Sequence, residues 1–99
     1  ATYKLRPRAR EDVRNIRNWI ARDDPKLAVT YVAELARHFQ RIADRHLMHL
    51  VRPELGPDLR RAGHGSYSIY YRFTGDTAED VLIIRVLHDA RSLVDQSFN

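Results

Sequence analysis

The chain is predicted to fold as an α+β domain, with an antiparallel helical hairpin packed on one face of a mainly antiparallel sheet. Apolar residues recur at helical spacing through the first half of the sequence, whereas in the second half they alternate or run together as strands do. The elements therefore segregate in the order β-α-α-β-β-β, which favours α+β over an alternating parallel architecture. A length of 99 residues suits one domain spanning 1–99. A core this small must use nearly every apolar side chain or be completed by a partner.

Thr2 to Leu5 places Tyr3 and Leu5 on one side and Lys4 on the other, as a brief edge or flanking strand does. Pro7 opens the first helix, because a residue without an N–H loses nothing at the first helical position. From Arg8 to about Arg22 the residues Ala9, Val13, Ile16 and Ile20 form one stripe with Trp19 on its flank. Glu11 and Asp12 are expected in the first turn, while Arg6 stands where a capping Ser or Asp is preferred.

Asp24 and Pro25 read as cap and first residue of a second helix reaching about His46. Its apolar arc is Ala28, Val32, Leu35, Ala36, Phe39, Ile42 and Ala43, and Arg37, Arg41 and Arg45 point away from it. Leu47 to Pro57 is a connection rich in breakers, and Leu59 to Ala62 a short strand. Gly63 and Gly65 bracket His64 in an expected turn. Ser66 to Thr74 then alternates, with Tyr67, Ile69, Tyr71 and Phe73 inward and Ser68, Tyr70 and Arg72 outward. Gly75 to Thr77 reverses the chain. Val81 to Leu87 is almost continuously apolar, as in a central strand covered on both faces, with Arg85 its one interruption. The tail from Asp89 to Asn99 has the spacing of a short helix or an ordered extension.

Composition excludes several chemistries. There is no cysteine, hence no disulfide framework, no thiolate nucleophile and no Cys-based zinc site, and a reducing cytoplasmic setting is expected. The apolar runs are far shorter than the roughly 20 residues that span a bilayer, so no membrane association is expected. His38, His46, His49, His64 and His88 form no metal-ligand pattern, and no G-x-S-x-G, P-loop or G-x-G-x-x-G segment occurs. No metal or cofactor is expected.

The basic balance, 17 Lys+Arg against 13 Asp+Glu, favours an acidic partner or a nucleic acid. Arg60 and Arg61 on one strand, with Arg72 and Arg85 on the next two, can converge on the face or rim opposite the helices. Such a face binds an RNA backbone or stabilises phosphate charge during cleavage; alternatively Arg85 pairs with an internal carboxylate and Arg60 or Arg61 solvates an edge.

Three stretches carry a family resemblance across nearly the whole chain: LRPRAREDVRNIRNWIA, RPELGPDLRRAGHGSYSIYYRF and VLIIRVLHDAR. In that order and spacing they resemble the RelE/ParE superfamily of type II toxins, specifically the ParE branch. The resemblance implies a growth-arresting toxin silenced by a ParD-like antitoxin with an acidic C-terminal segment, and DNA gyrase as target. It implies no catalysis and no direct sequence-specific nucleic-acid binding.

The alternative is a RelE-like ribosome-dependent mRNA interferase, which would draw on Arg60, Arg61, Arg72, Arg85 and His88. Against it, the third-strand position is Ser68, the terminal position falls near Asp95, and no tyrosine follows Tyr71. That leaves the acid and base set incomplete. For the antitoxin, Trp19 and Tyr31 are expected to flank the helical groove, and Arg60, Arg61, Arg72 and Arg85 to meet carboxylates. Asp89, where a small residue is usual, and Arg6 depart from the family pattern.

Overall fold

The computed structural model describes residues 2–44, 59–74 and 80–89. The second helix beyond Asp44, the connection, the 75–79 turn and the tail from 90 lie outside the described residues. In chain order the elements are β1 (Thr2–Leu5), α1 (Pro7–Ala21), α2 (Pro25–Asp44), β2 (Arg60–His64), β3 (Tyr67–Thr74) and β4 (Asp80–His88). The sheet order is β1-β4-β3-β2. β2, β3 and β4 form the expected antiparallel meander, and β1 joins β4 in parallel, so the sheet is mixed.

The helices start as the sequence implies. Asp24 Oδ1 accepts the Leu27 amide at 3.0 Å, the side-chain cap that closes an otherwise open helix N-terminus. Arg6 offers α1 no such bond; its amide instead donates to Ile83 O at 3.0 Å, carrying the β1 ladder one residue into the cap. Because α1 begins at Pro7, Glu11 and Asp12 fall in its second turn and not its first, which removes the dipole role expected of them.

One face of the sheet packs on both helices through Ala62, Ile69, Tyr71, Val81, Ile83 and Val86, against Ala9 and Ile16 of α1 and Leu35, Phe39, Ile42 and Ala43 of α2. Burying each of the larger side chains is worth about 1.5–3 kcal/mol. The other face carries a second cluster of Leu59, Tyr70, Ile84 and Leu87. β4 is thus covered on both faces, as its apolar run requires.

Two expectations are corrected. Tyr70 does point away from the helices, but it is buried in the second cluster and not exposed. His64 is the last residue of β2, and the two-residue loop is Gly65–Ser66, with Gly65 at φ 58°. That left-handed conformation is what a tight hairpin asks of this position.

β3 and β4 fall out of step between Tyr70, which pairs Arg85, and Tyr71, which pairs Ile83. Ile84 is therefore the extra residue of a bulge, and β4 bends there. The bend sits just where β1 ends, since Leu5 pairs Ile83. From Ile84 onward β4 has no strand on its β1 side among the described residues.

Candidate functional site

The open edge of β4 and the flank of α1 enclose a cleft of about 530 Å³, lined by Asp12, Asn15, Ile16, Trp19, Tyr67, Val86 and His88. Asp12, Asn15, Ile16 and Trp19 share its α1 wall because steps of three and four residues return to one side of a helix. Val86 and His88, two apart on β4, face it from the sheet.

Asp12 closes the inner end. Its Oδ2 accepts Arg85 Nε at 2.7 Å and the Val86 amide at 3.0 Å, and its Oδ1 accepts Arg85 Nη2 at 3.0 Å. Both side chains are buried. A paired, hydrogen-bonded carboxylate is the form in which a charge tolerates such a place. The hydrogen bonds it donates to Asp12 hold the Arg85 guanidinium above its ordinary pKa, outweighing the opposing effect of burial. Asp12 thus does for the Val86 amide what β1 does for the strand before it.

Trp19 forms the outer lip, 65% exposed, with the Arg22 guanidinium 5.2 Å from its ring centroid. Tyr67 forms the floor and meets the His88 ring edge-on at 5.3 Å. On the far side of Tyr67, Tyr31 approaches it at 6.1 Å and the His64 ring at 5.4 Å. His64 Nδ1 and His38 Nδ1 are 2.7 Å apart, so one ring donates its N–H to the other's lone pair. Five rings thus run from α2 across β2 and β3 to β4, following the register His64, Tyr67, His88. Burial lowers the His64 pKa, with Arg41 adding to the effect and Glu34 opposing it; burial raises that of Tyr31, reinforced by Tyr67 and Glu34.

The four sheet arginines do not converge. Arg85 turns to α1, the internal pairing that was the alternative for it. Arg60 lies over the Phe73 ring at 4.5 Å. Arg61 Nε donates to Ser68 Oγ at 2.8 Å, Ser68 Oγ donates to Asp89 Oδ1, and Arg61 Nη2 is 3.7 Å from the same oxygen. Arg72 is half-buried, with Nε out of contact with solvent. Trp19 lines the cleft, whereas Tyr31 is not among its lining residues and packs on Tyr67 and His64. Sequence reasoning missed Asp12 as a site residue; its place beside Ile16 on an otherwise apolar stripe was the available signal. It also missed the His38–His64 contact, which joins residues 26 apart and has no local signature.

Among the described residues no helix is long and apolar enough to cross a membrane, and no group of three or more His, Cys, Asp or Glu is placed to hold a metal ion.

Comparison with solved structures finds this fold elsewhere. A protein of the chromosomal ParDE toxin–antitoxin system from P. aeruginosa superposes with TM-score 0.71 at 18% identity, over 88% of this chain and 94% of that one. A chain of the RelBE2 toxin–antitoxin complex from Mycobacterium tuberculosis gives TM-score 0.61 at 27% identity, over 91% and 92%. No curated protein sequence matches. The family model for the ParE toxin of the type II toxin–antitoxin system parDE matches residues 3–93, and the chain therefore belongs to the ParE toxin family.

Proposed function

We propose that this toxin arrests growth by binding DNA gyrase and holding its cleaved complex with DNA, without catalysis of its own, in the cytoplasm. The observation that carries this reading is the state of the sheet arginines. An interferase needs cationic groups free to meet a scissile phosphate, with an acid and a base beside them. Here Arg85 is committed to Asp12 inside the fold, Arg61 is engaged by Ser68 and Asp89, and the face opposite the helices is filled by Leu59, Tyr70, Ile84 and Leu87. A supercoiling assay with purified toxin tests the target. Accumulation of cleaved, gyrase-bound DNA is the expected result; growth arrest with unchanged gyrase activity overturns it.

A cognate ParD-like antitoxin silences the toxin through the cleft. Beyond Val86, whose amide Asp12 already holds, the β4 edge accepts an extended segment, and Trp19 with Arg22 over its ring offers the aromatic and cationic anchor that interface hot spots favour. Arg72, half-buried on β3, is the sheet arginine left to meet carboxylates of an acidic tail, and Tyr31 faces a helix lying against α2. Arg85 is not among these contacts, because its guanidinium is already satisfied inside the fold.

The second reading, a ribosome-dependent mRNA interferase, draws on the likeness to a chain of the RelBE2 complex. Primer extension on translated mRNA separates the two: codon-positioned cleavage that disappears in Arg61→Ala would establish the interferase.

A further inference from the structure

The arginines of this protein divide into two groups. On the sheet, Arg85 and Arg61 are engaged by carboxylates and Arg60 lies over the Phe73 ring. Those on α1 are not so engaged. At 100° per residue, Arg10, Arg14 and Arg17 fall within an arc of about 60° on one flank of the helix, well away from Trp19 and the cleft, and Arg6 is the extended N-cap residue just before it. Arg10, Arg14 and Arg17 are exposed and Arg6 is half-buried. None of the four has a carboxylate partner among the described residues; Arg17 makes only a long contact, 3.4 Å, to Asn18. The two acids of the helix do not offset the row. Asp12 is turned inward onto Arg85, and Glu11 lies about 60° beyond the edge of the arc. With a rise of 1.5 Å per residue, these three guanidinium stems on α1 are spread over about 10 Å of helix.

We propose that this face of α1 binds the phosphate backbone of duplex DNA without regard to sequence. A row of charges with no large apolar or aromatic side chain among them lacks the buried anchor that a protein partner requires, whereas backbone contacts are made by charge and hydrogen bonding alone. B-form DNA suits a helix-borne row because its major groove admits an α-helix, while the deep, narrow groove of duplex RNA does not. This surface stands apart from the antitoxin cleft and acts whether or not gyrase is the target.

Fluorescence anisotropy with a labelled duplex DNA of arbitrary sequence tests the proposal on the purified full chain. Neutralising about four phosphates gives a slope of log K against log salt near −3.6, or about a hundred-fold weaker binding between 50 and 200 mM salt. The triple variant Arg10→Gln, Arg14→Gln, Arg17→Gln should lower that slope by about three, and its unchanged circular dichroism and melting show that the fold is intact. Arg37→Gln with Arg41→Gln, on the outer side of α2, should leave at least two-thirds of the slope. Equal loss from the α2 pair, an unchanged slope in the α1 variant, tighter binding to duplex RNA, or full competition by polyglutamate at equal charge each overturns the proposal.

Discussion

Asp12 on α1 and Arg85 on β4 are joined by two hydrogen bonds of 2.7 and 3.0 Å inside the protein, and the same carboxylate takes the Val86 amide at 3.0 Å. The ion pair ties the first helix to the last described strand at the point where β1 runs out. Its geometry decides which arginine is structural and which are available at the surface.

Removing one partner is the severe change. Asp12→Ala leaves a buried guanidinium and a strand amide unpaired, and we expect a loss of about 3–5 kcal/mol in urea unfolding. Asp12→Ala combined with Arg85→Met removes the orphaned charge as well, and should recover a good part of that loss.

The His38–His64 contact makes stability depend on pH. Two ring nitrogens 2.7 Å apart share one proton, and a second repels it. His64, lowered by burial, resists protonation in the folded state, while in the unfolded chain it takes a proton at about pH 6.5. The unfolded state therefore binds more protons as the pH falls below that value, and stability decreases with it. Urea midpoints at pH 7.5 and 5.5 should differ in that direction, and His64→Gln should flatten the difference.

The cap on α2 gives a smaller effect. Asp24→Ala removes the acceptor of the Leu27 amide and should cost about 1 kcal/mol, whereas Asp23→Ala, which supplies no side-chain cap, should fall within about 0.5 kcal/mol of the parent. Thermal melts of the two variants distinguish them.

Trp19→Ala separates binding from folding. The side chain is mostly exposed, so its removal should change stability by no more than about 0.5 kcal/mol. As the lip of the cleft it should weaken the antitoxin at least tenfold, about 1.4 kcal/mol, read by calorimetry and by failure of the antitoxin to restore growth.

Much of the fold was legible because it rests on local periodicity. The buried arc of α2, the cap at Asp24 and the double cover of β4 all follow from spacing along the chain. What escaped were features made by distant pieces meeting. Parallel entry of β1 beside β4 has no local signal. The bulge at Ile84 arises only when two strands must be reconciled with a third that ends early. For the same reason the sheet arginines, read by alternation, were expected together: alternation fixes the face of a strand residue but not the helix that will offer it a carboxylate. Tyr70 was misjudged because a second apolar cluster forms only once Leu59 and Ile84 reach that face.

The parallel pairing of β1 with β4 also sets an order of events in the cell. Thr2 to Leu5 precede both helices, yet the strand they pair with, Asp80 to Ile83, comes after both helices and two other strands. Contacts so far apart in sequence are slow to form, because a long loop must close before they are rewarded. Until β4 is made, α1 has neither Arg85 nor Val86 to hold, and the cleft lacks its β4 side. The cleft is thus completed late in synthesis, and an antitoxin that binds there as proposed would find no complete site on a chain stopping short of β4.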